Sequence, residues 1–458
     1  MKKALILSLC FAPDNAIGAI RPTKVAKYLK LNAGYEITAI TTEYDFIAHG
    51  LVDPLLQKDL QYVDNHIVLK LTSLAKLKFS IFEIFRSFKH SGKAVTLSPS
   101  PHGKKTKSRF FHKIFSYLNK YFSYGYSHSI HKNLSKIATK YILKNPKHYD
   151  VIYAPFGLDY YLDIAADAIR QQNLKAFWIS NFGDPMIDDQ LTKRGTRNYE
   201  KYVHRVVKTA DAITGVSDIC LRMFVGRQTG KLCVFYNGFD RDELNYIVDA
   251  SPSCKFTLTY TGHLYSGERD LRTIFRALRE LIDENKISRD NIAINYAGKH
   301  ESEFLSQVSQ FNLNDESVIH GFVDRYKALR LQMESTILIS ASWNRLGYTD
   351  VITGKFYEQL MIGKPILCTI TGNLPNSKLK EMIMEANVGI VWEEPTDRQD
   401  YPALKSYILM QYERFIRGEP PLFEPNLEYI EKYNHKNITQ QHIDLVEKHY
   451  ANADAKAV

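Results

Sequence analysis

The sequence predicts an α/β protein of two Rossmann-like domains, each a doubly wound parallel sheet, facing a ligand cleft. Three observations predict it. The chain has 458 residues, more than one ordinary core serves, so two domains of about 200 residues each are expected. Short apolar runs alternate with segments of helical period over residues 1–245, and again over 246–430. The two series meet at a linker placed at Arg241 to Ser253, which runs into the small-residue, proline-containing stretch Asp249 to Lys255.

In the first series Ala4 to Leu9 is a buried strand, and Cys10 to Ile20 is a loop containing Gly18. Arg21 to Leu31 is a helix with Val25, Tyr28 and Leu29 on one face, and Glu36 to Thr41 is the next strand. Later strands fall at Val151 to Ala154, Lys175 to Ile179, Ala212 to Val216 and Leu232 to Tyr236. The second series has strands at Phe256 to Thr261, Asn291 to Ala297, Ser317 to His320, Thr336 to Ala341, Pro365 to Ile370 and Val388 to Trp392. Helices such as Leu271 to Ile282 lie between them.

Composition excludes several classes. The five cysteines are scattered without a C-x-x-C pair, which argues against a zinc ribbon or a disulfide framework, fits a reducing compartment and implies no metal. The opening MKKALILSLC has the lysines and apolar run of an export signal, but Leu9 is too large for a cleavage or lipidation site. A β-loop-α-β pattern also follows directly. No run approaches the roughly 18 apolar residues needed to span a bilayer.

Charge is uneven. Residues Asn65 to Tyr149 hold 17 Lys and Arg against one acid, Glu83, a local +16 in a chain of +10, which leaves −6 for the rest. Within Lys70 to Lys147 basic residues alternate with Phe and Tyr, around a hinge at Ser98-Pro99-Ser100-Pro101. Leu74 to Phe88 and Phe110 to Phe122 are basic and amphipathic when drawn as helices. Three readings stand: docking on an anionic membrane surface, an ordinary helical insertion with solvated lysines, and a grip on single-stranded nucleic acid.

The run Thr353 to Cys368 reads as a short helix, with Phe356, Leu360 and Met361 at helical spacing, a stop at Gly363, and a strand from Pro365. Its first turn favours anionic groups. Glu358 is suited to accept hydroxyl hydrogen bonds from a ribose; the alternative is a surface glutamate with no role.

FAPDNAIGAIRPTKVAKYL, GYEITAITT, DAITGVS, VFYNGFD, YTGHLYSGERD, NYAGKH, HGFVDRYKAL and GKFYEQLMIGKPIL follow one another in this order. Together they resemble the GT-B glycosyltransferases, specifically the family 4 type of retaining, nucleotide-sugar-dependent enzymes, over nearly the whole chain except the basic stretch. The resemblance implies the GT-B architecture and transfer of a sugar from a nucleoside diphosphate to a hydroxyl with retained configuration. The donor would be a uridine or guanosine diphosphate sugar, with no metal or other cofactor required. It implies that Glu358, second acid of an E-x(7)-E pattern, binds the ribose, and that Asp350, in place of the first glutamate, contacts the donor sugar. Arg269 and Lys355 would offset the pyrophosphate charge, and His263 stands where the family has an arginine. Gly18, Gly262 and Gly298 would let the backbone approach the donor, Val323 would hold the base, and Asp184 would face the acceptor. Residues 431–458 would be a helical tail returning to the first domain.

Function is then expected as a cytoplasmic glycosyltransferase on the inner face of the cell membrane, extending a glycan or lipid-linked acceptor in cell-surface polysaccharide, lipopolysaccharide or glycolipid synthesis, with no nucleic-acid partner. A sugar epimerase or phosphorylase on the same fold is the second reading. A basic membrane- or nucleic-acid-binding scaffold is the third.

Overall fold

A computed structural model describes residues 1–43, 52–74, 76–77, 132–156, 162–173, 175–183, 193–222, 231–248, 250–265, 267–349 and 351–455. The chain forms two compact units. The first comprises Met1–Leu51, Leu60–Phe235 and Ile443–Val458, and the second Val52–Asp59 and Tyr236–His442.

The first unit is built on seven strands: β1 (Lys3–Leu7), β2 (Glu36–Thr42), β3 (Asn65–Leu69), β4 (Val151–Phe156), β5 (Phe177–Phe182), β6 (Ala212–Gly215) and β7 (Leu232–Val234). All pair in parallel, in the order β3-β2-β1-β4-β5-β6-β7. The order reverses between β1 and β4, as a doubly wound sheet requires. Strands buried on both faces read as continuous apolar runs, which is why Ala4-Leu-Ile-Leu7 shows no alternation.

Two expectations are corrected here. The helix α1 spans Ile17–Ala33 and so absorbs the loop residues Ile17 to Ile20, with Pro22 inside it and Gly34 as its left-handed cap. Starting it at Arg21 would have kept Pro22 in the first turn, where a missing N–H costs nothing. The basic stretch counted from Asn65 also opens with a strand absent from the expected series, since Asn65–Leu69 is β3, paired with β2 from Thr38↔Asn65 to Thr42↔Leu69. Most of the basic stretch, including Phe110 to Phe122, lies outside the described residues. Its last part, 132–144, is helical.

The second unit has six parallel strands: β8 (Phe256–Thr261), β9 (Ile292–Ala297), β10 (Ser317–Ile319), β11 (Ile337–Trp343), β12 (Ile366–Thr371) and β13 (Gly389–Glu393). Their order is β10-β9-β8-β11-β12-β13, with the switch point between β8 and β11. Alternating residues of β11 serve opposite faces. Ile337, Ile339 and Ala341 join one core cluster, and Leu338 joins the other. The second cluster also takes Leu55, from the short helix α2 (Pro54–Asp59), so a segment from early in the sequence packs into this later sheet.

Candidate active site

Ligands of open α/β sheets bind outside the carboxyl ends of the strands at the switch point. Here those ends carry a cluster of cations. β8 runs into Gly262, whose amide donates to the Ala297 carbonyl at 2.8 Å and whose φ is 134°. A Cβ there would come within 2.6 Å of Lys355 Cε, so Gly262 leaves room for the lysine stem as well as taking a backbone conformation that side chains resist. Gly298, at the end of β9, is constrained in the same way, since its Cβ would sit 2.2 Å from the Gly262 carbonyl oxygen. Gly262 is thus required by its backbone conformation and Gly298 by packing against backbone.

Arg269 is buried, at 7% exposure. One of its terminal nitrogens donates to the His263 carbonyl at 3.1 Å, and its guanidinium carbon lies 4.4 Å from the Tyr265 ring centre and 5.4 Å from that of Trp343. Two aromatic faces therefore fix the plane of the guanidinium. Its Nε is buried without a hydrogen-bond partner, as is Trp343 Nε1. The His263 carbonyl also accepts from the Tyr260 hydroxyl at 2.8 Å, while the imidazole lies 5.0 Å from that of His300. Burial, followed by the charges of His300, Lys299, Lys355 and Arg269, pushes the His263 pKa below 6.5.

Lys355 stands in the first turn of a helix, Gly354–Ile362, that ends at Gly363 in the left-handed region. Three apolar positions of this helix, Phe356, Leu360 and Met361, are buried in the second core cluster, which fixes the direction of the polar edge. Burial lowers the Lys355 pKa; Glu358 opposes that shift, and Arg269 and Arg325 add to it. Among the described residues neither Lys355 nor Arg269 has an anionic partner within ion-pair distance.

Glu358, one turn further along, is only 14% exposed at its side chain. Its Oε1 accepts from Arg325 Nε at 2.7 Å. Arg325 opens the helix Arg325–Glu334, two residues after Val323, next to the N-cap Asp324. Its two terminal nitrogens donate to both oxygens of the buried Glu243, at 3.0 and 2.5 Å, and one lies 3.7 Å from the buried Asp53. Burial works against the charge on Arg325, but Glu243 and Glu358 more than offset it and hold the guanidinium protonated. Oxygens of Asp59, Asp240 and Glu243 approach within 4.8 Å of one another, and Glu243 belongs at the same time to this cage.

The structure thus gathers Gly262, His263, Arg269, Gly298, Lys355 and Glu358 in one unit. Val323 follows Gly321, whose carbonyl accepts from Gly298 N at 2.9 Å. Gly18 is in the first turn of α1 in the first unit; a Cβ there would make ordinary 3.5 Å contacts with Cys10, so packing alone does not require glycine. Asp350 and Asp184 lie outside the described residues. Sequence reasoning missed Arg325, Glu243, Asp53 and the Tyr265–Trp343 clamp. Arg325 stands within the quoted HGFVDRYKAL motif, but nothing in that motif pairs it with Glu243, 82 residues earlier.

No family model and no curated protein sequence matches the chain. Solved structures do match it over their whole length. A UDP-forming α,α-trehalose-phosphate synthase from Burkholderia xenovorans gives a TM-score of 0.58 at 12% identity, covering 98% of this chain and 99% of the other. Sucrose-phosphate synthase from Thermosynechococcus elongatus gives 0.54 at 13%, covering 98% and 100%. The lipopolysaccharide outer core galactosyltransferase WaaB, in its apo form, gives 0.52 at 11%, covering 98% and 99%. The chain has the GT-B fold: two Rossmann-like parallel-sheet units, shared with these glycosyltransferases at low sequence identity.

Proposed function

We propose that the protein is a glycosyltransferase that moves a sugar from a nucleoside diphosphate sugar to a hydroxyl of a glycan or lipid-linked acceptor. The observation that carries this reading is a pair of cations, Arg269 and Lys355, with no anionic partner among the described residues, at the switch point of the second sheet, with Lys355 one helical turn from the acid Glu358. A diphosphate matches the two cations, and a ribose hydroxyl matches the carboxylate. In the reaction the bond from the anomeric carbon to the β-phosphate oxygen breaks, and the nucleoside diphosphate leaves with the electron pair. The acceptor oxygen bonds to that carbon on the same face, so configuration is retained, and the acceptor proton passes to the departing phosphate. Arg269 and Lys355 stabilise the charge that builds on the leaving group, and Val323 holds the base. The donor carries uridine or guanosine. Asp350 contacts its sugar, and Asp184 faces the acceptor.

A thermal-shift panel of uridine, guanosine, adenosine and thymidine diphosphate sugars tests the donor class, since a ligand at 100 times its Kd stabilises by about 2.7 kcal/mol. Stabilisation by none of them would refute the reading. Product formed without any acceptor, or only with inorganic phosphate, would favour an epimerase or phosphorylase instead.

The state of His263 gives a pH test. A neighbouring phosphate favours the protonated imidazole, so its pKa rises on binding and binding takes up a proton. Affinity for a nucleoside diphosphate sugar, whose phosphates do not titrate in this window, should therefore increase as pH falls from about 7.5 to 5.5. His263→Asn should flatten that profile in titration calorimetry. An equally steep profile in the variant would remove His263 from the phosphate site.

The same reading places the enzyme on the inner face of the cell membrane, building surface polysaccharide or glycolipid such as lipopolysaccharide. Supporting this, Lys132, Lys136, Lys140 and Lys144 are exposed at four-residue spacing along the helix 132–144, with no anionic partner among the described residues, beside the half-exposed Leu143. Such a row suits an anionic leaflet, at on the order of 1 kcal/mol per lysine near the surface. Changing all four to Gln should reduce co-sedimentation with phosphatidylglycerol vesicles at least tenfold, whereas unchanged binding would exclude this face. Among the described residues no helix is long and apolar enough to cross a membrane.

A further inference from the structure

We propose that Arg325 is the positioning residue of the ligand site, a fixed guanidinium that orients the Glu358 carboxylate toward the ribose hydroxyls. The inference rests on the nucleotide-sugar reading above and deepens it.

An isolated glutamate on a helix surface samples several rotamers and loses that freedom when it binds. Glu358 is not isolated. Its Oε1 is held by Arg325 Nε at 2.7 Å, so the carboxylate plane is set before any ligand arrives and Oε2 is presented to solvent or substrate. Arg325 is itself immobilised from behind. Glu243 takes both terminal nitrogens in a two-pronged contact, and Asp53 approaches one of them at 3.7 Å. The side-chain exposures fall from 14% at Glu358 to 11% at Arg325, 2% at Glu243 and 1% at Asp53, so the network is anchored in the core and only its tip is accessible.

Each anchor is fixed in turn. Asp53 caps α2, its Oδ1 accepting from the Leu55 and Leu56 amides at 2.8 and 3.2 Å, and Leu55 packs in the same core cluster as Phe356 and Tyr357 beside Glu358. Glu243 lies in the 3-10 turn Arg241–Tyr246, whose first residues are capped by Asp240. The Glu358 carboxylate is therefore set by residues from three other places in the sequence, all within the second unit.

A purely structural ion cage would affect melting temperature but not the preference for a ribose over a deoxyribose, and this separates the two roles. The full-length protein is titrated with uridine and guanosine diphosphate and with their 2′-deoxy and 3′-deoxy analogues. The wild type should prefer a ribonucleotide over at least one deoxy analogue by about tenfold or more, the range for a hydrogen bond to a charged group. Arg325→Lys keeps the charge but loses the planar fork. It should reduce that preference to about threefold or less, weakening the ribonucleotide more than the same deoxy analogue. Asp53→Asn retains the capping oxygen and removes the charge behind Arg325; it should lower the preference in the same direction, and it decides the matter if Arg325→Lys does not fold. A folded variant that keeps the wild-type preference overturns the positioning role alone. A wild type that binds the nucleotides without any preference also overturns it, leaving the donor reading standing. A wild type that binds neither nucleotide overturns both.

Discussion

Arg269→Ala is expected to reduce sugar transfer by about two to three orders of magnitude, the usual loss when one donor to a developing anion is removed. The fold should survive. What the substitution removes from the unliganded protein is one hydrogen bond to the His263 carbonyl and the stacking on Tyr265 and Trp343, which together stabilise by at most a few kcal/mol. No buried carboxylate is left behind among the described residues, since none of them pairs with Arg269. The guanidinium plane is set by the two rings and its Nε is not used internally, so the donors are aimed in advance and need no reorganisation as the phosphate leaves. Arg269→Lys should recover only part of the rate, since a single ammonium does not reproduce a planar two-pronged contact. The measurement is steady-state transfer with the donor identified by the thermal panel. Transfer within threefold of wild type in Arg269→Ala would remove this residue from the mechanism.

Glu358→Gln should weaken nucleoside diphosphate binding by about tenfold or more, corresponding to the loss of a hydrogen bond to a charged acceptor. This variant separates two roles that Glu358→Ala would confuse. The glutamine oxygen can still accept from Arg325 Nε, and Arg325 keeps Glu243 and Asp53 as counter-charges, so no uncompensated buried cation results. The melting temperature should therefore fall only modestly. Glu358→Ala opens the cage and should reduce stability as well as binding. A glutamine variant with wild-type affinity and a lowered melting temperature would assign Glu358 to the cage only.

The alternation of strands and helices was legible because parallel strands covered on both faces have to be continuous apolar runs, and Ala4 to Leu7 of β1 shows this most clearly. The helix Gly354–Ile362 was equally legible, from the spacing of Phe356, Leu360 and Met361 and the glycine that ends it. β3 was less so. Asn65–Leu69 is short, three of its five residues are half-buried and Val68 is exposed, as an edge strand allows, and it adjoins a basic stretch that draws the eye to charge. At the site, the chemical types at Arg269, Lys355 and Glu358 could be read locally. The network behind Glu358 could not, because Asp53, Glu243 and Arg325 are joined only by tertiary packing and no periodicity links positions so far apart. The sequence also presented Glu358 as a free carboxylate, whereas one of its two oxygens already accepts from a buried arginine.

The assignment of Val52–Asp59 to the second unit and of Ile443–Val458 to the first also bears on how the molecule is made. A ribosome releases the chain from its N-terminus, so the first unit has its seven strands long before residues 443–458 are made. Cutting the gene between Phe235 and Tyr236, where the long segment of the second unit begins, yields an N-terminal product without residues 443–458 and a C-terminal product without Asp53, Leu55 and Leu56. The two units are separate as compact bodies but not as stretches of messenger, and whatever shuffles or truncates this gene has to carry both short segments across with their distant partners.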